Sequence, residues 1–167
     1  NRMPRSRRCA GFTLVEILVV IVILGIAAGV AIVSTAPDER DLSAREARRF
    51  AGALEYAAQR AQFRNELLGV SAAGHAIRYW RRDIANDRWQ PVDDDDLLRA
   101  RALPEPVDAM AIAYAGRAPA SDAVIPLRAS GRNEPFAFAL TTPAWRTLIA
   151  VDPLNRVSIA GPSALAP

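Results

Sequence analysis

At 167 residues the chain has room for one domain and little more, so a multidomain enzyme is excluded. Its 51% hydrophobic content is unevenly spread: 14 of the 38 Val, Ile and Leu residues fall between Phe12 and Val33, and 33 residues are Ala, which leaves the remainder a thin core. The net charge of +3 is equally local, because Arg2, Arg5, Arg7 and Arg8 precede all 18 acids; beyond Gly11, 17 Arg face those 18 acids, and general nucleic-acid binding loses its support.

The first eleven residues form a basic segment ending in Gly11 and hold Cys9, the only cysteine. A chain cut after Gly11 would have no cysteine, which excludes a disulfide-stapled or thiol-catalytic protein. Next comes FTLVEILVVIVILGIAAGVAIV, Phe12 to Val33. As a helix it measures about 33 Å, enough to cross roughly 30 Å of hydrocarbon. Arginines before it and Asp38, Glu39 and Asp41 after it predict a cytoplasmic N-terminus, with everything beyond facing outward. A secretory signal cut after Ser34-Thr35-Ala36 is the competing expectation, but the 22-residue apolar run exceeds the roughly 7 to 15 residues of such signals.

Glu16 stands out inside that run. A carboxylate costs on the order of 2.5 kcal/mol or more at mid-bilayer and less near an end, so it needs a partner and a task. If the chain were cut after Gly11, Phe12 would carry a positive α-amino group about 6 Å along the helix axis from Glu16. Between neighbouring helices displaced by one turn, the two charges can neutralise each other in apolar surroundings. Gly25 and Gly29 form a G-x-x-x-G that permits close helix approach.

Pro37 predicts a kink or short break. Helix is expected to resume soon after: from Leu42, Ala47, Phe50, Leu54, Ala57 and Ala61 recur at spacings of three and four, with Arg48, Arg49, Glu55, Gln59, Arg60 and Gln62 between them. This amphipathic helix is expected to end near Leu68, capped by Gly69. Short strands follow at Val70 to Ala73, His75 to Arg81, Arg88 to Val92, Ala109 to Ala115, Val124 to Arg128, Phe136 to Leu140, Thr147 to Val151 and Arg156 to Ala160, separated by turn residues. Short connections imply antiparallel pairing. The expected fold class is α+β: a long N-terminal helix, transmembrane in its first half, packed on an antiparallel β domain of one sheet or two. Its parts are a leader (1–11), a transmembrane helix (12–36), its amphipathic continuation (37–68) and the β domain (69–167).

No constellation for catalysis, metal or cofactor emerges. Reading Asp93 to Asp96 as the start of an EF-hand fails, because Leu98 and Pro104 stand where Gly and Glu are required. The run is expected to be a solvated loop offset by Arg99 and Arg101. His75 is the only histidine and is read as a strand residue; Lys is absent, which removes a phosphate-loop lysine. Tyr79, Trp80, Trp89 and Trp145 suit a core or an interface equally.

RRCAG followed by FTLVEILVVIVILGIAA resembles the N-terminal signal of type IV pilins: a basic leader ending in Gly, then Phe, and Glu at the fifth position after it. The resemblance implies cleavage between Gly11 and Phe12 by a prepilin peptidase, N-methylation of Phe12, and use of Glu16 in subunit assembly. Ile125 to Leu140 (IPLRASGRNEPFAFAL), Thr147 to Gly161 (TLIAVDPLNRVSIAG) and Arg88 to Val107 are similar to the H-type minor pseudopilins of type II secretion. That resemblance implies a non-enzymatic subunit of the pseudopilus, held in the bacterial inner membrane with its domain in the periplasm. Its expected partners are other minor and major pseudopilins, the prepilin peptidase and inner-membrane lipid, with nucleic acid not expected. Minor pilins of type IV pili share the domain, so pilus assembly or DNA uptake is the alternative, with Arg128, Arg132, Arg146 and Arg156 as its basic patch.

Overall fold

The computed structural model describes residues 14–34 and 38–165, with side-chain surroundings left out for 27–34. The leader, the Gly11–Phe12 junction and Pro37 therefore lie outside the described residues. The chain divides into two units, Asn1–Pro37 and Asp38–Pro167. In the first, α1 runs from Leu14 to Ser34.

The second unit opens with α2, Glu39–Arg64, whose start follows from the side chains present. The Asp38 carboxylate accepts the Arg40 N–H at 3.0 Å, and Glu39 and Asp41 place negative charge at the positive end of the helix dipole. The helix ends at Arg64, four residues before the expected Leu68. Asn65 takes the left-handed conformation (φ 52°, ψ 41°), and the N–H groups of Asn65 and Glu66 close onto the Gln62 and Ala61 carbonyls. The expected cap, Gly69, instead lies within the first strand.

The strands are β1 (Leu68–Gly74), β2 (Ala76–Asp83), β3 (Arg88–Pro91), β4 (Arg101–Ala102), β5 (Asp108–Tyr114), β6 (Ile125–Leu127), β7 (Phe136–Thr141), β8 (Trp145–Val151) and β9 (Val157–Ala164). All pair antiparallel, in the order β3-β2-β1-β5-β7-β8-β9, with β4 also on β2 and β6 also on β1. The sheet is continuous rather than two. Its halves meet only through Ala73–Met110 and Gly74–Ala109, because β6 takes the rest of that edge of β1. His75 is not a strand residue: with Gly74 (φ 56°) it makes the tight turn between the paired Ala73 and Ala76.

Ala47, Phe50, Leu54, Ala57 and Ala61 are buried as their spacing predicts, facing Phe136, Phe138, Leu140, Ile149 and Val151 of the sheet. Phe50 meets Phe138 edge-on with ring centroids 5.0 Å apart, and the buried Ser43 and Thr147 hydroxyls bond at 2.8 Å. Small residues on α2 let the helix settle close to the strands while Phe50 and Leu54 fill the space between.

Gly69 is required by packing. A Cβ there would stand 2.5 Å from Val124 and 2.9 Å from the Trp89 ring, whereas one on Gly52, in the middle of α2, would meet nothing within 4 Å. Gly69→Ala should cost about 1–3 kcal/mol by overpacking, and Gly52→Ala should gain about 1 kcal/mol in helix propensity. Urea unfolding followed by tryptophan fluorescence checks both, since Trp80, Trp89 and Trp145 all lie in strands of this unit.

Candidate functional site

In α1, Glu16 occupies the first turn and is exposed. Every large apolar side chain from Leu14 to Ile26 is exposed as well, on all sides of the helix. Gly25 presents bare backbone, with nothing of its own chain within 4 Å of where a Cβ would lie; Gly29 lies in the same helix, its surroundings outside the described residues. One helical turn separates the two, so they share a face. Described side chains of α1 cover Leu14 to Ile26, about 18 Å of axis. Among the described residues no helix is long and apolar enough to cross a membrane.

In the second unit Asp93, Asp94 and Asp96 of the acidic run are exposed, as expected, but Asp94 and Asp95 are also drawn onto α2. Arg60, expected on the polar side of α2, is buried, with a side chain 3% exposed. Its guanidinium donates to Asp95 at 2.7 Å and Asp94 at 3.2 Å and stands 3.4 Å from Glu66. The Tyr56 hydroxyl donates to Asp95 at 2.8 Å, and Arg81 pairs with Asp94 at 3.2 Å. Of the two expected counter-charges, Arg99 pairs with Asp96 (3.0 Å), while Arg101 reaches back to Glu46 on α2 (2.6 Å). The missed signal is positional: Arg60 lies three residues after Ala57 and beside Ala61, on the apolar stripe.

Hydrogen bonding from Arg60 holds the Asp94 carboxyl below its ordinary value, against some desolvation. For Asp95 burial pushes upward most strongly, but the Tyr56 hydroxyl, the Leu97 N–H and Arg60 together outweigh it and leave a net lowering. A depressed native carboxylate contributes stability above its unfolded pKa, about 3.9, and loses it as pH falls through the native value.

The remaining expectations are partly met. Tyr79 is core, and burial pushes its phenol pKa upward. The tryptophans are half-buried: Trp80 donates to Ser71 at 2.8 Å, Trp89 stacks under Arg82 and Trp145 under Arg40. His75 is exposed, its Nδ1 2.8 Å from the Val107 carbonyl. The four arginines of the basic patch do not all converge. Arg146, near the start of β8 opposite Ser163, lies roughly 17 Å of strand from the Val151 end, where Arg156 pairs with Asp152 at 2.7 Å. The 131–133 loop bonds to the 153–155 loop through Asn133 and Asn155, which brings Arg132 to the Arg156 end of the sheet. Among the described residues no group of three or more His, Cys, Asp and Glu is placed to hold a metal ion.

A helix laid on one face of an antiparallel sheet, behind an apolar N-terminal helix carrying a lone acid, defines the pilin-like class. The prokaryotic N-terminal methylation motif matches residues 6–32. Residues 46–155 match the family described as type II transport protein GspH, and the chain belongs to that family. Type II secretion system protein H of Pectobacterium carotovorum is 31% identical over 62% of this chain and 63% of its own length. The protein of the same name from Pseudomonas aeruginosa is 37% identical over 59% and 56% respectively. The chain thus spans less than two thirds of the length of these curated relatives. Among solved structures, the minor pseudopilin EPSH of the Vibrio cholerae type II secretion system shares the fold, with a TM-score of 0.61 at 15% identity over 75% of this chain and 98% of that one. E. coli GspH does so at 0.55, with 21% identity over 72% and 89%.

Arg60→Ala should destabilise this unit by about 1–3 kcal/mol at neutral pH, because it leaves the Asp95 carboxylate, 11% exposed, without its cation. It should also flatten the loss of stability that the parent chain shows below about pH 4. Urea midpoints at pH 7 and across the acid range measure both effects.

Proposed function

We propose that this chain is a minor pseudopilin, a structural and non-enzymatic subunit of the type II secretion pseudopilus that drives folded proteins across the outer membrane. The observation that carries the reading is the pairing of an N-terminal methylation motif with a type II transport protein GspH domain in one chain.

On this reading a prepilin peptidase cuts between Gly11 and Phe12, Phe12 is N-methylated, and α1 stays in the inner membrane with its N-terminus cytoplasmic and the sheet domain periplasmic. A helix with apolar side chains on every side supports that placement, since water offers such a surface no favourable face. Counted over all 21 residues, including 27–34 whose side-chain surroundings lie outside the described set, the α1 backbone rises about 31 Å, comparable to the hydrocarbon layer. Inner-membrane lipid and the other pseudopilins are then the partners of α1. Within a bundle of such helices, Glu16 of one subunit faces the amino group of a neighbour's Phe12, each charge relieving the other's cost in an apolar medium. Gly25 and Gly29 give the bundle a face on which two backbones can approach closely.

The periplasmic domain needs no catalytic centre for this work. Rigid attachment of α2 to the sheet lets a displacement of the helix bundle carry the whole domain, and hence the cargo, outward. DNA capture gains little from Arg128, Arg132, Arg146 and Arg156, since Arg146 stands apart along β8 and Arg156 is already paired with Asp152.

Glu16→Ala should reduce incorporation into the pseudopilus at least about tenfold, read as crosslinking to the other pseudopilins in a secreting host, with secretion lost in parallel. Its urea midpoint by tryptophan fluorescence should match the parent chain. Parent-level crosslinking and secretion by this variant would contradict the assembly role.

A further inference from the structure

One side of α2 faces the sheet, and the other carries its charge in bands. Asp38, just before the helix, and Asp41 form an acidic band; Arg45 and Arg48 form a basic one; Glu55 is acidic again. All five are exposed, and none makes an ion pair with any described residue. Spacings of three and four place them on the same side of the helix. Between the basic band and Glu55, on that same side, lies Gly52. It is exposed in the middle of the helix, where Gly is less favourable than any residue except Pro, and a Cβ there would meet nothing within 4 Å. No turn and no close packing within the chain calls for a glycine at this position.

Alternating bands give a second copy of the same helix a preferred place. Two parallel copies in register set every charge against its own kind. A shift of three or four residues sets Arg45 against Arg48 or Arg49. A shift of seven, two turns and about 10 Å along the axis, does the opposite. Asp38 then meets Arg45, Asp41 meets Arg48, and Arg48 meets Glu55, with no like pair among them. The same shift carries Arg45 of one copy onto Gly52 of the other, where the missing side chain leaves room for the long arginine stem.

We infer that a second copy of this chain packs on the exposed side of α2, parallel and shifted by two turns. The 38–48 half of one helix meets the 45–55 half of the other. The inference rests on the membrane placement proposed above, because two chains that leave one bilayer at the start of α2 run in the same direction. A uniformly acidic or basic neighbour would leave one of the bands facing its own sign, whereas a shifted copy satisfies both. Ion pairs at a surface are individually weak, so the contact sets the register of copies that the membrane already holds together.

The test uses the full chain in phosphatidylcholine vesicles, with donor and acceptor dyes on C-terminal tags, and reads energy transfer against the protein-to-lipid ratio. Arg48→Glu, which puts like charges into two of the pairs, should need about tenfold more protein for half-maximal transfer. Asp41→Arg, which does so in one, should need about fivefold more. Donor-labelled Asp41→Arg mixed with acceptor-labelled Arg48→Glu should return to the parent ratio, since the exchanged charges meet at the 41–48 contact. An antiparallel or unshifted pair gives no such recovery. Gly52→Gln should weaken transfer about fivefold while its urea midpoint by tryptophan fluorescence stays level or rises, because Gln is the better helix former. A mixture no better than its two components, or parent-level transfer by Arg48→Glu or Gly52→Gln alone, overturns the inference. Alkaline carbonate separates this failure from that of the membrane reading. Chains that resist extraction and still give one of those results leave the membrane placement standing, whereas chains released by carbonate overturn both.

Discussion

The sheet domain depends on how closely α2 can approach the strands. Ala47, Ala57 and Ala61 are fully buried and add almost no bulk, so the helix backbone lies near the sheet, and Phe50 and Leu54 occupy the two places where a large side chain fits. Burial of these few residues must offset the ordering of the entire helix, since a chain this rich in Ala has little other apolar area to remove from water. Close approach also brings polar groups within reach of one another. The Ser43 and Thr147 hydroxyls satisfy each other in the core instead of costing stability there.

Ionic contacts then fix what packing alone leaves loose. Arg60 draws Asp94 and Asp95 onto the end of α2, and Arg101 ties the far end of the same segment to Glu46 near the helix start. The segment between β3 and β4 is thereby held along the helix at two points, with Tyr56 adding a third bond to Asp95. A buried arginine with its carboxylates in place is costly to break, though it need not add stability over an apolar pair.

Much of this was legible in the sequence, and the failures have physical causes. The α2 stripe follows from spacing, and the longer strands from alternation between turn residues. The helix end was not legible, because Asn65 in a left-handed conformation stops α2 while Gly69 serves a close approach of Trp89 to β1. Two-residue β4 is too short to carry a pattern, and the join of the sheet through Ala73 and Gly74 depends on which strands share an edge. Arg60 looks solvent-facing in the sequence because its carboxylates at Asp94 and Asp95 lie 34 and 35 residues away, a pairing that no local pattern records. The candidate assembly residues come from residue types alone: Glu16 lies in the first turn of α1, while Gly11 and Phe12 fall outside the described residues.

The two units differ in where their apolar groups lie. The sheet domain buries its apolar groups within itself, whereas α1 offers apolar side chains in every direction and only bare backbone at Gly25. A chain made this way is proposed to act by joining helices of its own kind, after a cut that creates an amino terminus able to meet Glu16. Mass spectrometry of the N-terminus, after expression beside a prepilin peptidase, tests that proposal most directly. A chain that begins at N-methylated Phe12 is the predicted result. A chain cut after Ala36, or one that keeps residues 1–11 in the presence of active peptidase, would contradict it.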